Sequence, residues 1–293
     1  MKLVCLDDHP SLAQAVAEQL GCECLIPEQR QFPDGEFYFR LDVDVSGEDI
    51  VLFCHLHQPN EKALAIWLMA GHLREMGAAR VGLVAPYLAY MRQDIRFHPG
   101  ECVTSRYFAR LLNASVDFLI TVDPHLHRYH SLSEIYQIPS RVIHANPLIA
   151  RWIASEITDA VIIGPDEESA QWAQEVAQLA GCPVQVLTKT RHGDRDVEIH
   201  IPDIASLKDR QPVLVDDIIS TGRTLIETAQ GLVAQGLRPP VCIGVHAVLS
   251  PGAEEALNSA PIARWLTCNS IPHRSNAVDL ASDLAAAIRE MKP

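Results

Sequence analysis

Residues 212–232, PVLVDDIISTGRTLIETAQGL, constrain the fold of this 293-residue chain more tightly than any other stretch. Val213-Leu214-Val215 is apolar, rich in β-branched residues and too short for a buried helix, so it reads as a strand. It ends in two carboxylates, Asp216 and Asp217, followed by Ile218-Ile219 and a hydroxyl-rich turn, Ser220-Thr221-Gly222-Arg223-Thr224. Leu225, Ile226, Ala229 and Leu232 then fall on one face of a helix. Strand, acidic pair, turn and helix follow one another in that order.

Each part has a chemical use. A turn that opens a helix leaves backbone N–H groups unpaired at the positive end of the helix dipole, which suits a phosphate. Ser220, Thr221 and Thr224 add hydroxyl donors, and Gly222 lets the backbone approach closely. Asp216 and Asp217 would repel that phosphate, but they suit neighbouring hydroxyls or a divalent cation. A sugar phosphate satisfies both halves. The plainer alternative is a strand with an acidic end followed by a Ser/Thr cap; a glycine inside a hydroxyl cluster exceeds what capping requires.

Strand-like and helical patterns alternate through both halves. Strands are expected at 3–6, 37–43, 50–54, 80–85 and 116–122, with helices at 11–20 (capped by Ser11), 61–76 and 104–112. Leu64, Trp67, Leu68 and Leu73 are the expected buried side of the 61–76 helix. In the second half, helices at 146–156, 168–180, 253 onward and 276–291 alternate with strands at 160–163, 184–187, 241–248 and 264–268. The alternation predicts an α/β protein with two mainly parallel sheets flanked by helices, split near Ser140 into domains 1–140 and 141–293.

Composition narrows the function. With 48% apolar and 21% charged residues the chain has the make-up of a soluble globular protein, and no apolar run reaches spanning length, so a cytoplasmic protein without a membrane partner is expected. A formal net charge of −13 argues against binding nucleic acid and requires any phosphate site to be built locally. The eight cysteines form no CxxC pair, and Cys22-x-Cys24 is too isolated for zinc.

Four further stretches carry polar groups at strand ends, where open α/β folds bind ligands. Phe32-Pro33-Asp34-Gly35-Glu36 reads as a turn; Pro86-Tyr87-Leu88-Ala89-Tyr90-Met91-Arg92-Gln93-Asp94 offers a phosphate-gripping Arg92 and a base-reading Gln93. Asp123-Pro124-His125-Leu126-His127-Arg128-Tyr129-His130 is histidine-rich, though without the convergence of a zinc site. Residues 189–196, KTRHGDRD, read as a mobile cationic loop.

Together these stretches resemble the ribose-phosphate pyrophosphokinase family of the phosphoribosyltransferase-fold superfamily. DDIISTGRT, FPDGE, PYLAYMRQD, TVDPH and the Lys-x-Arg of 189–191 match its motifs in its order. The resemblance implies two tandem phosphoribosyltransferase-like domains and transfer of pyrophosphate from Mg-ATP to ribose 5-phosphate, with Mg²⁺ as cofactor. It implies that Asp216 and Asp217 contact ribose hydroxyls while Ser220, Thr221, Gly222, Arg223 and Thr224 hold the 5-phosphate. It places Phe32, Asp34, Glu36, Arg92, Gln93 and His125 on ATP, His125 and Asp166 at the metal, and Lys189, Arg191 and His125 in catalysis. Because the 32–36 segment reaches across a subunit boundary in the family, a homo-oligomer is implied, built from dimers and extending to a hexamer. Arg223 replaces a second loop glycine, and Glu167-Glu168-Ser169-Ala170 stands where the family has a small, Gly-rich pyrophosphate loop. A nucleobase phosphoribosyltransferase, a silent regulatory homologue and an enzyme for another sugar phosphate stay open beside this reading.

Overall fold

The computed structural model describes residues 1–126, 128–165, 170–191, 197–200 and 207–291, with the backbone alone for 171, 188–191 and 197–200. The chain divides into two units, Met1–Ile143 with Leu280–Pro293, and His144–Asp279.

In the first unit, β1 (Lys2–Cys5), β2 (Cys24–Leu25), β5 (Asp49–Phe53), β6 (Arg80–Ala85), β7 (Phe118–Val122) and β8 (Ser140–Ile143) form a parallel sheet in the order β2-β1-β5-β6-β7-β8. Strands β6 and β7 are buried almost throughout, so they read as continuous apolar runs, as a sheet covered on both faces demands. Helix α1 (Ser11–Leu20) connects β1 to β2, whereas α2 (Pro59–Glu75) and α3 (Thr104–Ser115) lead through β6 to β7 in the opposite direction. Right-handed crossovers therefore send α1 to one face and α2 and α3 to the other. A hairpin, β3 (Glu28–Gln31) with β4 (Phe37–Arg40), is inserted after β2.

The second unit repeats this plan. Strands β9 (Ala160–Gly164), β10 (Val184–Val186), β13 (Gln211–Ile219), β14 (Val241–Ala247), β15 (Arg264–Cys268) and β16 (Asn276–Val278) form a parallel sheet ordered β10-β9-β13-β14-β15-β16. Renumbered within each sheet, both orders are 2-1-3-4-5-6, and both units carry a hairpin between their second and third sheet strands, here β11 (Thr188–Arg191) with β12 (Val197–His200). Helices α4 (Asn146–Glu156) and α5 (Ala170–Ala180) pack together, while Leu225 and Leu232 of α6 (Arg223–Ala234) and Leu257 of α7 (Ala253–Ser259) join Val161, Ile163 and Leu214 in the core.

Several expectations are corrected. Residues 140–143 form the sixth strand of the first sheet, where a connection between domains was expected. Residues 276–291 are a short strand followed by helix α8 (Ala281–Glu290), and α8 packs on α1 in the first unit instead of closing the second. Leu284, Ala285 and Ile288 are buried on α8, and Arg80 Nη1 donates to the Met291 carbonyl at 2.6 Å. Ser11 is the first helical residue, and no side chain caps that helix. On α2 the buried stripe is Ala63, Ile66, Met69, Ala70 and Leu73; Leu64 and Trp67 are half exposed and Leu68 only partly buried. The inner face mixes alanines with Ile66, Met69 and Leu73, while Trp67, the bulkiest side chain of the helix, lies on the other side.

Candidate active site

Strand β13 is longer than its apolar core suggested. It runs through the acidic pair to Ile219, in register with β14 at Asp216↔Gly244 and Ile218↔His246. Pairing with β14 outweighs the poor strand propensity of aspartate; the β9 pairing ends at Leu214. Successive strand residues face opposite sides, so the two half-buried carboxylates flank the strand near its C-terminal end. Burial, with Asp216 nearby, pushes the thiol of Cys242 well up, which makes it an inert neighbour.

The chain then turns within three residues. The Ser220 carbonyl accepts the Ser250 N–H at 3.1 Å, fixing the turn to the loop before α7. Gly222 adopts φ +70°, and a Cβ there would lie 2.8 Å from Leu257 Cδ2. Helix α6 starts at Arg223, whose N–H donates to Thr221 Oγ1 at 3.3 Å; no side chain caps the helix from Gly222. The exposed Thr221 and Thr224 flank this end. The first turn of α6 thus offers N–H groups and hydroxyls to an anion. Arg223 is exposed, and its Nε donates to Glu227 Oε1 at 2.6 Å, so its cation lies along the helix. Beside the site, buried His246 meets Ser270: Ser270 Oγ donates to the Val245 carbonyl at 2.9 Å, which leaves it to accept from His246 Nδ1 at 2.8 Å. Sequence reading missed this histidine, because an apolar strand gives no local sign that one member is polar.

In the first unit, neighbouring strands β6 and β7 deliver two loops to the same sheet edge. After β6, Leu88 and Met91 are buried as anchors, Tyr90 sits at φ +61° with its ring 4.7 Å from that of Phe108, and Arg92 is exposed. Gln93 is half-buried; its Oε1 accepts Thr104 Oγ1 at 3.4 Å and its carbonyl accepts the Ser105 N–H at 3.4 Å, leaving the amide NH₂ as a donor. After β7, Asp123 takes φ +29° and hands its N–H to the Ile143 carbonyl, and half-buried His125 follows two residues on. The fold therefore brings Arg92, Gln93 and His125 to one edge.

Phe32, Asp34 and Glu36 form the tip of the β3–β4 hairpin. Phe32 and Glu36 close it through Phe32 N–H to Glu36 O at 2.8 Å, and Asp34 Oδ1 accepts the Glu36 N–H at 3.2 Å, so part of Asp34 builds the turn itself. Phe32 is 41% exposed, with the Arg30 guanidinium 4.8 Å from its ring centroid. Lys189 and Arg191 lie on strand β11, so residues 189–191 of the expected loop are one arm of a hairpin; residues 192–196 lie outside the described residues. Asp166, Glu167, Glu168 and His127 lie outside the described residues. Among the described residues no three His, Cys, Asp or Glu side chains converge as a metal site.

Two family models account for most of the chain: the N-terminal domain of ribose phosphate pyrophosphokinase over residues 1–115, and a phosphoribosyl transferase domain over 131–283. The ribose-phosphate pyrophosphokinase of Methanopyrus kandleri is 33% identical over 293 residues, spanning 99% of each chain. The chain belongs to the ribose-phosphate pyrophosphokinase family. Its relative from Methanothermobacter thermautotrophicus is 34% identical, covering 95% of this chain and 96% of that one. The crystal structure of phosphoribosylpyrophosphate synthetase from Mycobacterium smegmatis superposes with a TM-score of 0.85 at 26% identity, covering 98% and 97% of the two chains. Phe32 to Gln93 fall in the first matched span and Asp166 to Thr224 in the second, while His125 lies between them but inside the full-length match.

Proposed function

We propose that this chain is the enzyme that moves the pyrophosphoryl group of Mg-ATP onto the anomeric hydroxyl of ribose 5-phosphate, giving 5-phosphoribosyl 1-pyrophosphate and AMP. The observation that carries the reading is the end of β13, where a carboxylate pair is followed, one tight turn later, by the N-terminus of α6, which Gly222 leaves without a side-chain cap. We assign the ribose hydroxyls to Asp216 and Asp217 and the 5-phosphate to Ser220, Thr221, Gly222, Arg223 and Thr224. ATP is assigned to Phe32, Asp34, Glu36, Arg92, Gln93 and His125.

In the reaction the anomeric oxygen attacks the β-phosphorus, and the bond from that phosphorus to the α,β-bridging oxygen breaks. AMP departs with the bridging oxygen and the hydroxyl proton passes to water. No protein nucleophile is needed. Lys189, Arg191 and Arg92 supply positive charge where it develops, and the two binding surfaces hold the reactants in line. Magnesium, bound with the nucleotide, supplies charge neutralisation across the phosphate oxygens. His125 and Asp166 would hold it, and the half-buried Asp123, two residues before His125, adds a hard oxygen donor. Few protein ligands suit an ion that keeps several waters and takes the rest of its shell from phosphates.

A nucleobase phosphoribosyltransferase would use the β13–α6 turn but would have no use for the 32–36 tip or the 86–94 loop. In the preferred reading the 32–36 tip serves the adenine of a neighbouring subunit, so light scattering should find a homo-oligomer; we place it in the cytoplasm. The test is AMP release from Mg-ATP with and without ribose 5-phosphate, on the parent and on Lys189→Ala. AMP should form only with the sugar phosphate, and kcat should fall on the order of 10²-fold or more in the variant. No AMP with any divalent metal would sink the reading and leave a silent homologue or another sugar substrate.

A further inference from the structure

The loops after β6 and β7 carry Arg92, Gln93 and His125; the paired strands fix where the loops begin, and contacts between the loops hold them beyond the sheet. Asp94 and Arg128 meet between them. The Asp94 side chain is 2% exposed, and its Oδ1 accepts Arg128 Nη1 at 2.7 Å; its Oδ2 has no partner among the described residues. Arg128, about half exposed, also lies 5.3 Å from the Phe97 ring centroid. A second fastening follows directly: Tyr129 OH donates to the Asp94 carbonyl at 3.3 Å and can accept Ser105 Oγ at 3.3 Å and Arg106 Nε at 3.4 Å. One donor and two acceptor places exhaust the phenol, so Tyr129 joins the β7 loop to both the β6 loop and the start of α3.

We infer that Asp94, Arg128 and Tyr129 form a clasp that sets the spacing between the Arg92-Gln93 loop and the His125 loop, with Arg128 as a positioning residue for the nucleotide. A buried carboxylate whose one charged partner among the described residues is Arg128 is tolerated only while that partner stays, so the loops are locked by the cost of opening the pair. Arg128 sits three residues from His125 and Asp94 one residue from Gln93, so any slip of the pair moves the groups assigned to ATP. The inference rests on that assignment of ATP to the first unit.

The experiment is steady-state kinetics for each substrate, with calorimetric binding of Mg-ATP, on Arg128→Met, Arg128→Lys, Tyr129→Phe and Arg92→Ala. Arg128→Met should lower kcat/KM for ATP on the order of 10²-fold, the loss expected when reacting groups are misplaced by about 1 Å, with KM for ribose 5-phosphate unchanged. Arg128→Lys, which can still reach Asp94 Oδ1 with a cation, should recover most of it, and Tyr129→Phe should show a smaller loss of the same kind. Asp94→Asn/Arg128→Met buries no unpaired charge; it keeps the test available should Arg128→Met fail to fold, and it too should raise KM for ATP. A variant with the parent's KM for ATP and only less active protein would overturn the clasp. If Arg92→Ala binds Mg-ATP as the parent does, the nucleotide assignment itself has failed, and the clasp with it; if Arg92→Ala is impaired while both Arg128→Met proteins match the parent, the clasp alone has failed.

Discussion

Gly222→Ala tests the turn on which the sugar-phosphate assignment depends. Gly222 sits at φ +70°, and a Cβ there would stand 2.8 and 2.9 Å from Cδ2 and Cγ of Leu257. Ordinary carbon contacts begin near about 3.5 Å, so the overlap is roughly 0.7 Å. Leu257 is 1% exposed in the core beneath α6 and cannot swing into solvent. A left-handed alanine costs about 1–2 kcal/mol and the overpacking about 1–3 kcal/mol, for a total of roughly 2–5 kcal/mol. That cost can fall on stability, if the turn holds, or on ligand binding, if it moves away from Leu257. Denaturant unfolding measures the first and KM for ribose 5-phosphate the second, where a 30-fold rise in KM corresponds to about 2 kcal/mol. The two losses should sum to at least about 2 kcal/mol. In a Leu257→Ala background only the backbone strain should remain. A variant within about 0.5 kcal/mol of the parent, the usual span of inconsequential surface changes, and with an unchanged KM would refute the reasoning.

Other predictions concern the first unit. At the ends of β1 and β5, burial raises the Asp7 carboxyl from 3.8 to about 6 against the pull of Lys62, and burial, then Lys62, lowers His55 from 6.5 to about 3. Between pH 3.8 and 6 folded Asp7 keeps a proton that the unfolded chain releases, so its contribution to stability falls as pH rises. Between pH 3 and 6.5 the unfolded chain protonates His55 first, so that contribution falls as pH drops, and the two slopes offset each other. Relative to the parent, Asp7→Asn should lose stability on acidification between pH 6 and 3.8, at up to about 1.4 kcal/mol per pH unit, and His55→Gln should gain it between pH 6.5 and 3; equal slopes in the two variants would disprove this. Gly82→Ala should destabilise by about 3 kcal/mol or more, because its Cβ would stand 1.9 Å from Cζ of Phe118; the denaturation midpoint measures it, and adding Phe118→Leu should recover part of the loss.

Much of the site is legible in the chain because its parts are local. Strand, turn and helix at 211–234, the tip at 32–36 and the loop after Ala85 are all written in contiguous residues whose backbone needs and side-chain chemistry agree. The strand–helix alternation in each half follows from the same local periodicities, although the 2-1-3-4-5-6 order of the strands does not.

Tertiary structure decided what depends on partners distant in sequence. Strand β13 continues through Asp216 and Asp217 only because β14 pairs with it, and Ser140–Ile143 and Asn276–Val278 become strands because each finds an edge to join. The last helix crosses to the first unit because its apolar face matches α1, a choice no local pattern records. Asp94 reads in the sequence as one more loop carboxylate; burial against Arg128, 34 residues later, turns it into a fastening. Local propensity and periodicity set what each segment can be, and the burial of particular faces, which depends on the whole chain, set where it sits and which polar groups meet.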